Sequence, residues 1–228
     1  MTYDKSSLVT FMLRYLLFDL DATLYADQTG LWAAIGERIS QYMIEHLRLP
    51  PQDVPALREH YFGTYGTTLN GLLHDYEVNP ADYLAYVHDL PLEQYLQPDP
   101  ALNGMLARLP LPKAIFTNSD EPHVRRVLDC LGVTRHFTHI IDIHALNFIN
   151  KPDVRAYTRA LELLNVEPGE CLFADDAPRN LLPAHGLGMI TVLVGEAAGS
   201  APPQEIDYQI PNVLGLERIV AGLMGQVH

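Results

Sequence analysis

The chain has 228 residues, 48% of them hydrophobic, and sets 15 Lys+Arg against 28 Asp+Glu for a formal charge of −13. That length buries one ordinary core or a core carrying an insert, and the acidic balance excludes nucleic-acid phosphate and anionic lipid as surface partners, so any phosphorylated ligand must be held by a local cation. Cys130 and Cys171 stand far apart with no C-x-x-C pattern, which excludes a disulfide framework and a cysteine zinc site and fits reduced thiols in a cytoplasmic protein.

Residues 1–13 do not read as the start of a domain and are expected to form a disordered extension. The apolar run Leu8–Phe18 is interrupted by Thr10 and Arg14. It is too short to cross a bilayer and lacks the basic n-region of a signal peptide, so no membrane partner is expected. From Arg14 to Leu20 the apolar residues predict a strand buried on both faces. This strand closes on Asp19 and Asp21. Residues i and i+2 of an extended chain project to one side, so the two carboxylates would repel unless a cation, a proton or a reacting phosphorus lay between them. A helix N-cap is the plain alternative, and it needs only one Asp or Thr.

Residues 27–97 offer helices and no convincing strand. Leu31, Ile35, Ile39, Tyr42, Met43 and His46 follow the 3.6-residue period, and further helices are predicted over Val54–Tyr65, Thr67–Tyr76 and Pro80–Asp89. The interval reads as an inserted helical cap, punctuated by Pro50-Pro51, Asn79-Pro80 and Pro98-Asp99-Pro100. Residues 14–26 and 98–228 are then the two parts of a discontinuous core. Within the second part, strands are predicted at Lys113–Phe116, Ile140–Ile143, Cys171–Ala174 and Met189–Val194, with an extended piece at Ile206–Ile210. Helices are predicted at Glu121–Leu131, Pro152–Leu164, Pro178–His185 and Val213–Met224. This alternation implies right-handed crossovers and a doubly wound parallel α/β sheet.

Ligands of such sheets bind outside the carboxyl ends of the strands. There the first strand delivers Asp19 and Asp21, the second Thr117 and Asn118, and the fourth Asp175 and Asp176, while Lys151 precedes a helix. Each has a bland reading: Thr117, Asn118 and Asp120 as a turn and cap, Lys151 as a solvated lysine, and one of the Asp175-Asp176 pair as a cap. Their coincidence at one sheet edge favours a reaction centre. The chemistry that uses this set is phosphoryl transfer through an aspartyl-phosphate, with Mg²⁺ suited to oxygen-only ligands.

Asp19-Leu20-Asp21-Ala22-Thr23, Thr117, Lys151 and Asp175-Asp176, in this order over residues 14–224, resemble the four motifs of the haloacid dehalogenase-like hydrolases, phosphatase branch. The resemblance implies a Rossmann-like core with an inserted helical cap that closes over the substrate. It implies Asp19 as nucleophile, Asp21 as general acid then base, and Thr117, Asn118 and Lys151 as phosphate-binding groups. It also implies a Mg²⁺ site made by Asp19, the backbone carbonyl of Asp21, Asp175 and Asp176. Within the family, Tyr61–Leu72 and Asn118-Ser119-Asp120 resemble the pyrimidine 5'-nucleotidase subgroup, and Tyr61, Tyr65, Tyr76, Tyr83 and Tyr86 could supply a face on which a base stacks; tyrosines at helical spacing also serve as core.

The implied partner is a small phosphorylated substrate, a nucleoside monophosphate or a sugar phosphate, acted on by a monomer or homodimer. A phosphomutase and a sugar-phosphate or phosphoglycolate phosphatase share every motif. A dehalogenase proper needs no acid at Asp21, a receiver-type domain orders its motifs differently, and a non-catalytic binding protein would not need every acid.

Overall fold

Every side chain of β1 (Tyr15–Phe18) is buried, which an apolar tetrapeptide achieves at the centre of a sheet covered on both faces. The computed structural model, which describes residues 12–195 and 205–225, places it there. Four helices follow β1: α1 (Leu31–Glu45), α2 (Val54–Tyr65), α3 (Thr68–Asp75) and α4 (Pro80–Val87). Then come α5 (Pro100–Arg108), β2 (Lys113–Phe116), α6 (Glu121–Leu131), β3 (His139–Ile141), α7 (Val154–Leu164), β4 (Cys171–Asp175), α8 (Pro178–Leu187), β5 (Ile190–Val194), β6 (Tyr208–Ile210) and α9 (Leu216–Gly225). The strands form one parallel sheet in the order β3-β2-β1-β4-β5-β6. The protein is therefore a doubly wound α/β fold, as the alternation predicts.

Successive side chains of β1 feed opposite faces of the sheet. Leu16 and Phe18 join residues of α5, α6 and α9 in one apolar cluster. Leu17 joins Phe116, Phe173 and residues of α7 and α8 in the other. A third cluster, including Tyr42, Met43, Tyr61, Leu72 and Tyr83, holds α1–α4 together and takes Ile143 from the segment after β3. These four helices are called the cap below. Among the described residues, no helix is long and apolar enough to cross a membrane, and both cysteines are free.

Several boundaries differ from the sequence pattern. β1 stops at Phe18 because the chain turns at Asp21–Leu24, with Ala22 at φ +60°; the Asp19 N–H still bonds the Ala174 carbonyl at 2.9 Å, extending the ladder one step. α7 starts at Val154 rather than Pro152, capped by the Asp153 carboxylate, which accepts from the Arg155 N–H at 2.9 Å. The Pro98-Asp99-Pro100 punctuation conceals a helix start: Asp99 accepts from the Ala101 and Leu102 N–H groups at 2.9 Å, and Pro100 is the first residue of α5. The proposed extension falls mostly on residues 1–11, outside the described residues, but its last residue, Leu13, packs into the core.

Candidate active site

Sheet register sets the acids side by side. Phe18 lies level with Ala174 in β4, so the next residues, Asp19 and Asp175, leave neighbouring strands at the same height. This is the point where strand order reverses direction between β1 and β4, the place where open α/β sheets bind ligands. Lys151 completes the group from the loop before α7. Its ammonium donates to Asp19 Oδ1 at 2.7 Å, to Asp175 Oδ2 at 2.8 Å and to the Phe116 carbonyl at 2.9 Å, so all three donors are used. At 1% exposure Lys151 is a buried structural cation, not a solvated lysine.

Three acids face this one ammonium. Asp19, Asp175 and Asp176 offer carboxylate oxygens within 4.8 Å of one another. Burial pushes the Asp19 carboxyl well above the usual range, and the charges of Asp175 and Asp176 add to that shift against the pull of Lys151. Desolvation in the cavity and the Asp175 charge push Asp176 up to about 6. Lys151 shifts up as well, because its two carboxylate partners outweigh the cost of burying it. With the acids ionised, the cluster keeps two negative charges beyond what Lys151 offsets. An oxygen-only donor set with that surplus fits a hard divalent cation.

Asp21 is held apart from this cluster. Its carboxylate accepts from Tyr25 Oη at 2.5 Å and Ser119 Oγ at 2.9 Å, and pairs with His123 Nε2 at 3.1 Å. Burial opposes its ionisation, but the attraction of His123 and the hydrogen bonds from His123 and Tyr25 prevail and hold the carboxyl well below its ordinary range. His123 stacks on His88, ring centroids 4.1 Å apart, and His88 Nδ1 pairs with Asp120 at 2.7 Å. Thus Asp120, at the N-cap position of α6, does not cap it. Asp142 replaces it by accepting from the Glu121 N–H at 3.0 Å.

Thr117 is buried, and its hydroxyl accepts from the Ser119 N–H at 3.1 Å. The Asn118 side chain bonds both sides of Lys151, accepting from its N–H at 2.8 Å and donating to its carbonyl at 3.0 Å; it fixes the lysine rather than presenting its amide to a ligand. Asp175 orients itself against the Ala177 N–H at 2.8 Å and the Asn180 amide at 3.0 Å. The structure therefore brings Asp19, Asp21, Thr117, Asn118, Lys151, Asp175 and Asp176 together, while leaving the Asp21 side chain outside the metal-compatible oxygen cluster.

All of these except Asp175, which is buried behind them, form the floor of a cavity of about 740 Å³ roofed by the cap, within the range of small-molecule sites. The roof is pinned to the core: Arg179 of α8 donates to the Phe62 and Gly66 carbonyls at 3.0 and 2.8 Å and stacks 3.4 Å from the Phe62 ring centroid. Gly66, at φ +83°, permits this approach, since a β-carbon there would collide with the Asn150 side chain. Asn70 also crosses to the core, donating to the Phe148 carbonyl at 2.9 Å and bonding the Asn150 side chain.

The cap tyrosines do not form the suggested stacking face. Tyr61 and Tyr83 are buried in the cap's core, with Tyr65, Tyr76 and Tyr86 packed against it, and of the five only Tyr83 reaches the cavity. Two exposed aromatic side chains line the cavity, Trp32 and Phe62; the sequence pattern did not single out Trp32 and included Phe62 only within the Tyr61–Leu72 run. Tyr25, His88 and His123 around Asp21 escaped it, and Ser119 entered only as part of the Asn118-Ser119-Asp120 likeness. His123 did carry a signal: it shares the apolar stripe of α6 with Val124, Val127, Leu128 and Leu131, where an imidazole needs a buried partner.

A family model described as haloacid dehalogenase-like hydrolase matches residues 13–188. Phosphate metabolism protein 8 of Saccharomyces cerevisiae is 29% identical over 187 residues, which are 75% of this chain and 58% of that protein; the chain thus spans little more than half the length of this relative. Phosphoglycolate phosphatase of Neisseria gonorrhoeae is 25% identical over 188 residues, 77% of each chain. Among solved structures, L-2-haloacid dehalogenase from Xanthobacter autotrophicus with chloropropionic acid covalently bound is similar at a TM-score of 0.57 and 21% identity, over 92% of this chain and 99% of that one. At this identity the likeness concerns the fold alone.

Proposed function

The chain belongs to the haloacid dehalogenase-like hydrolases, and on that premise we infer that it is a Mg²⁺-dependent phosphatase that hydrolyses a small phosphate monoester through an aspartyl-phosphate. The observation that carries this reading is the contact of Lys151 with both Asp19 and Asp175 at 2.7 and 2.8 Å, beside a separately held Asp21. A dehalogenase has no use for a second acid that is buried, oriented by three partners and two residues beyond the first.

In this reading an Asp19 oxygen attacks phosphorus as the bond from phosphorus to the leaving oxygen breaks, and Asp21 gives that oxygen its proton. Water then attacks the phosphorylated Asp19, losing a proton to Asp21, and inorganic phosphate leaves with the Asp19 carboxylate restored. The strongly ionised resting state of Asp21 suits the second step. An entering phosphate dianion opposes that ionisation, because a nearby like charge favours the protonated carboxyl, and so prepares the first step. Thr117 holds the transferring group through its hydroxyl and Lys151 offsets its charge from beside Asp19 and Asp175, with Asn118 fixing the Lys151 backbone. Mg²⁺, held by Asp19, Asp175, the Asp21 carbonyl and Asp176, would supply charge neutralisation at the phosphoryl oxygens.

The finer reading of the substrate is a nucleoside monophosphate, supported by a cavity roomier than a bare sugar phosphate needs and by its exposed aromatic wall. Similarity to a phosphoglycolate phosphatase favours a smaller acidic substrate as the second reading. A phosphate-release screen of pyrimidine and purine nucleotides, sugar phosphates and phosphoglycolate, with Mg²⁺ and with chelator, tests both. Release that requires Mg²⁺ and favours pyrimidine nucleotides is the expected result; no release from any ester would remove the phosphatase reading.

A further inference from the structure

Two helices of the cap each present residues spaced i, i+4 to the cavity: Trp32, Gly36 and Ser40 from α1, and Arg58 and Phe62 from α2. Such residues share one helix face. Trp32 and Phe62 remain 47% and 46% exposed, although both are large apolar groups. Gly36 lies inside α1, where glycine is a weaker helix former than alanine, and its missing side chain is where the Arg58 guanidinium lies. A β-carbon at Gly36 would stand 3.2 Å from Arg58 Nη2.

The guanidinium is poorly satisfied. Nη1 donates to Ser40 Oγ at 2.8 Å, and Ser40 in turn donates to the Gly36 carbonyl at 3.2 Å. Nε is buried without an acceptor. Arg14, Arg108, Arg125, Arg155 and Arg159 all find carboxylates, as expected in so acidic a chain. Glu37 and Glu59 line the same cavity as Arg58, yet among the described residues neither pairs with it. A guanidinium carries five N–H donors in a planar fork, and among the described residues only Nη1 of Arg58 has an acceptor, so the side chain keeps donors for a ligand.

The surroundings narrow what that acceptor is. Glu37 and Glu59 balance Arg58 and Arg179 on this cavity wall, so a second anionic group at the far end of the substrate finds no net attraction there and is repelled by the two carboxylates. An uncharged carbonyl oxygen meets no such repulsion, and exposed aromatic rings favour a flat body behind it. We propose that Trp32, Arg58 and Phe62 form the leaving-group subsite, with Arg58 determining specificity by donating to a carbonyl oxygen of a neutral planar heterocycle packed on the aromatic side chains. The proposal rests on the phosphatase reading and deepens it, by assigning the recognition of a nucleobase to named residues of the cap.

The test is the ratio of kcat/KM for uridine 5'-monophosphate to that for ribose 5-phosphate, which lacks only the base, measured with Mg²⁺ for the unaltered protein, Arg58→Ala, Arg58→Lys and Gly36→Ala. p-Nitrophenyl phosphate and phosphoglycolate complete the panel. The unaltered protein should favour the nucleotide by about 10- to 100-fold, the scale of one stacked and hydrogen-bonded base. Arg58→Ala should collapse the ratio mainly through KM, and Arg58→Lys, which keeps the charge without the planar fork, should restore only part of it. Gly36→Ala, which displaces the guanidinium without removing it, should lower the ratio while the melting temperature holds.

A ratio near one in the unaltered protein, a ratio indifferent to Arg58→Ala, or a preference for phosphoglycolate would overturn the subsite while leaving the phosphatase reading intact. Absence of turnover on all four esters would instead remove the phosphatase reading, and the subsite with it.

Discussion

The floor and the roof of the cavity are built on opposite terms. On the floor the groups nearest the reaction are held by their neighbours: Lys151 spends three donors on three oxygens, Asp21 takes three partners, and Asn118 uses both ends of its amide on one neighbour. On the roof, Trp32 and Phe62 stand exposed and Arg58 keeps donors in reserve. Groups that stabilise charge during a reaction must already point the right way, so they are locked by their neighbours. Groups that distinguish one ligand from another gain by being satisfied only when the correct ligand arrives.

Substitutions can break this division, starting on the floor. Asp19→Asn should reduce phosphate release by on the order of 10⁴-fold or more, the scale of losing a nucleophile, while the metal-free protein keeps its melting temperature, because one of three crowded acids is gone. Steady-state kinetics and a thermal melt on the same sample read both effects. Chelation should be as complete but reversible. Returning Mg²⁺ should restore turnover and raise the melting temperature, with about 2.7 kcal/mol of added stability at a hundredfold excess over Kd; calorimetry with Ca²⁺ as a control would show whether the gain follows activity. Asp21→Asn should lower kcat by about 10²–10⁴-fold and flatten its pH profile, and an unchanged profile would assign the proton transfer elsewhere.

The next effect is one of stability and pH. Asp176 titrates at about 6 in the folded protein, above an ordinary carboxyl, so between roughly pH 4 and 6 the native state holds a proton that the unfolded chain has released. Its contribution to metal-free stability therefore falls as pH rises through that window and levels off above it. Compared at each pH, Asp176→Asn should gain in melting temperature relative to the unaltered protein from pH 4 to 6, and Mg²⁺ should shrink the difference at pH 7. The smallest effect belongs to the roof's interior. Tyr61→Phe removes a 2.7 Å hydrogen bond to Asp75 and should cost about 0.5–1.5 kcal/mol in a denaturant melt without altering which ester is preferred.

The same division explains what the amino-acid pattern could disclose. Buried parallel strands are short, continuously apolar and in fixed register, so a carboxylate just past Phe18 and another just past Ala174 must emerge together; Asp19 and Asp175 were legible for that reason. The roof depends on which way each helix turns. In α2, Tyr61 faces the cap's core and its neighbour Phe62 the cavity, a difference of one residue that packing against α3 and α1 decides and local composition does not. The shell around Asp21 was hidden differently, since Tyr25 and the Ser119–His123 stretch come from two segments distant in sequence and meet only once the chain has folded.

Among the described residues the sheet ends in short strands on both sides. β3 and β6 are three residues each, against five for β4 and β5. An unpaired edge is a template on which another strand can add, and its hold scales with the number of N–H and C=O groups in the row. Edges this short offer an incoming strand two or three bonds, too few to repay ordering it. Sheet-to-sheet fibre growth through the native fold is thereby blunted, and copies that associate would be expected to meet through helices.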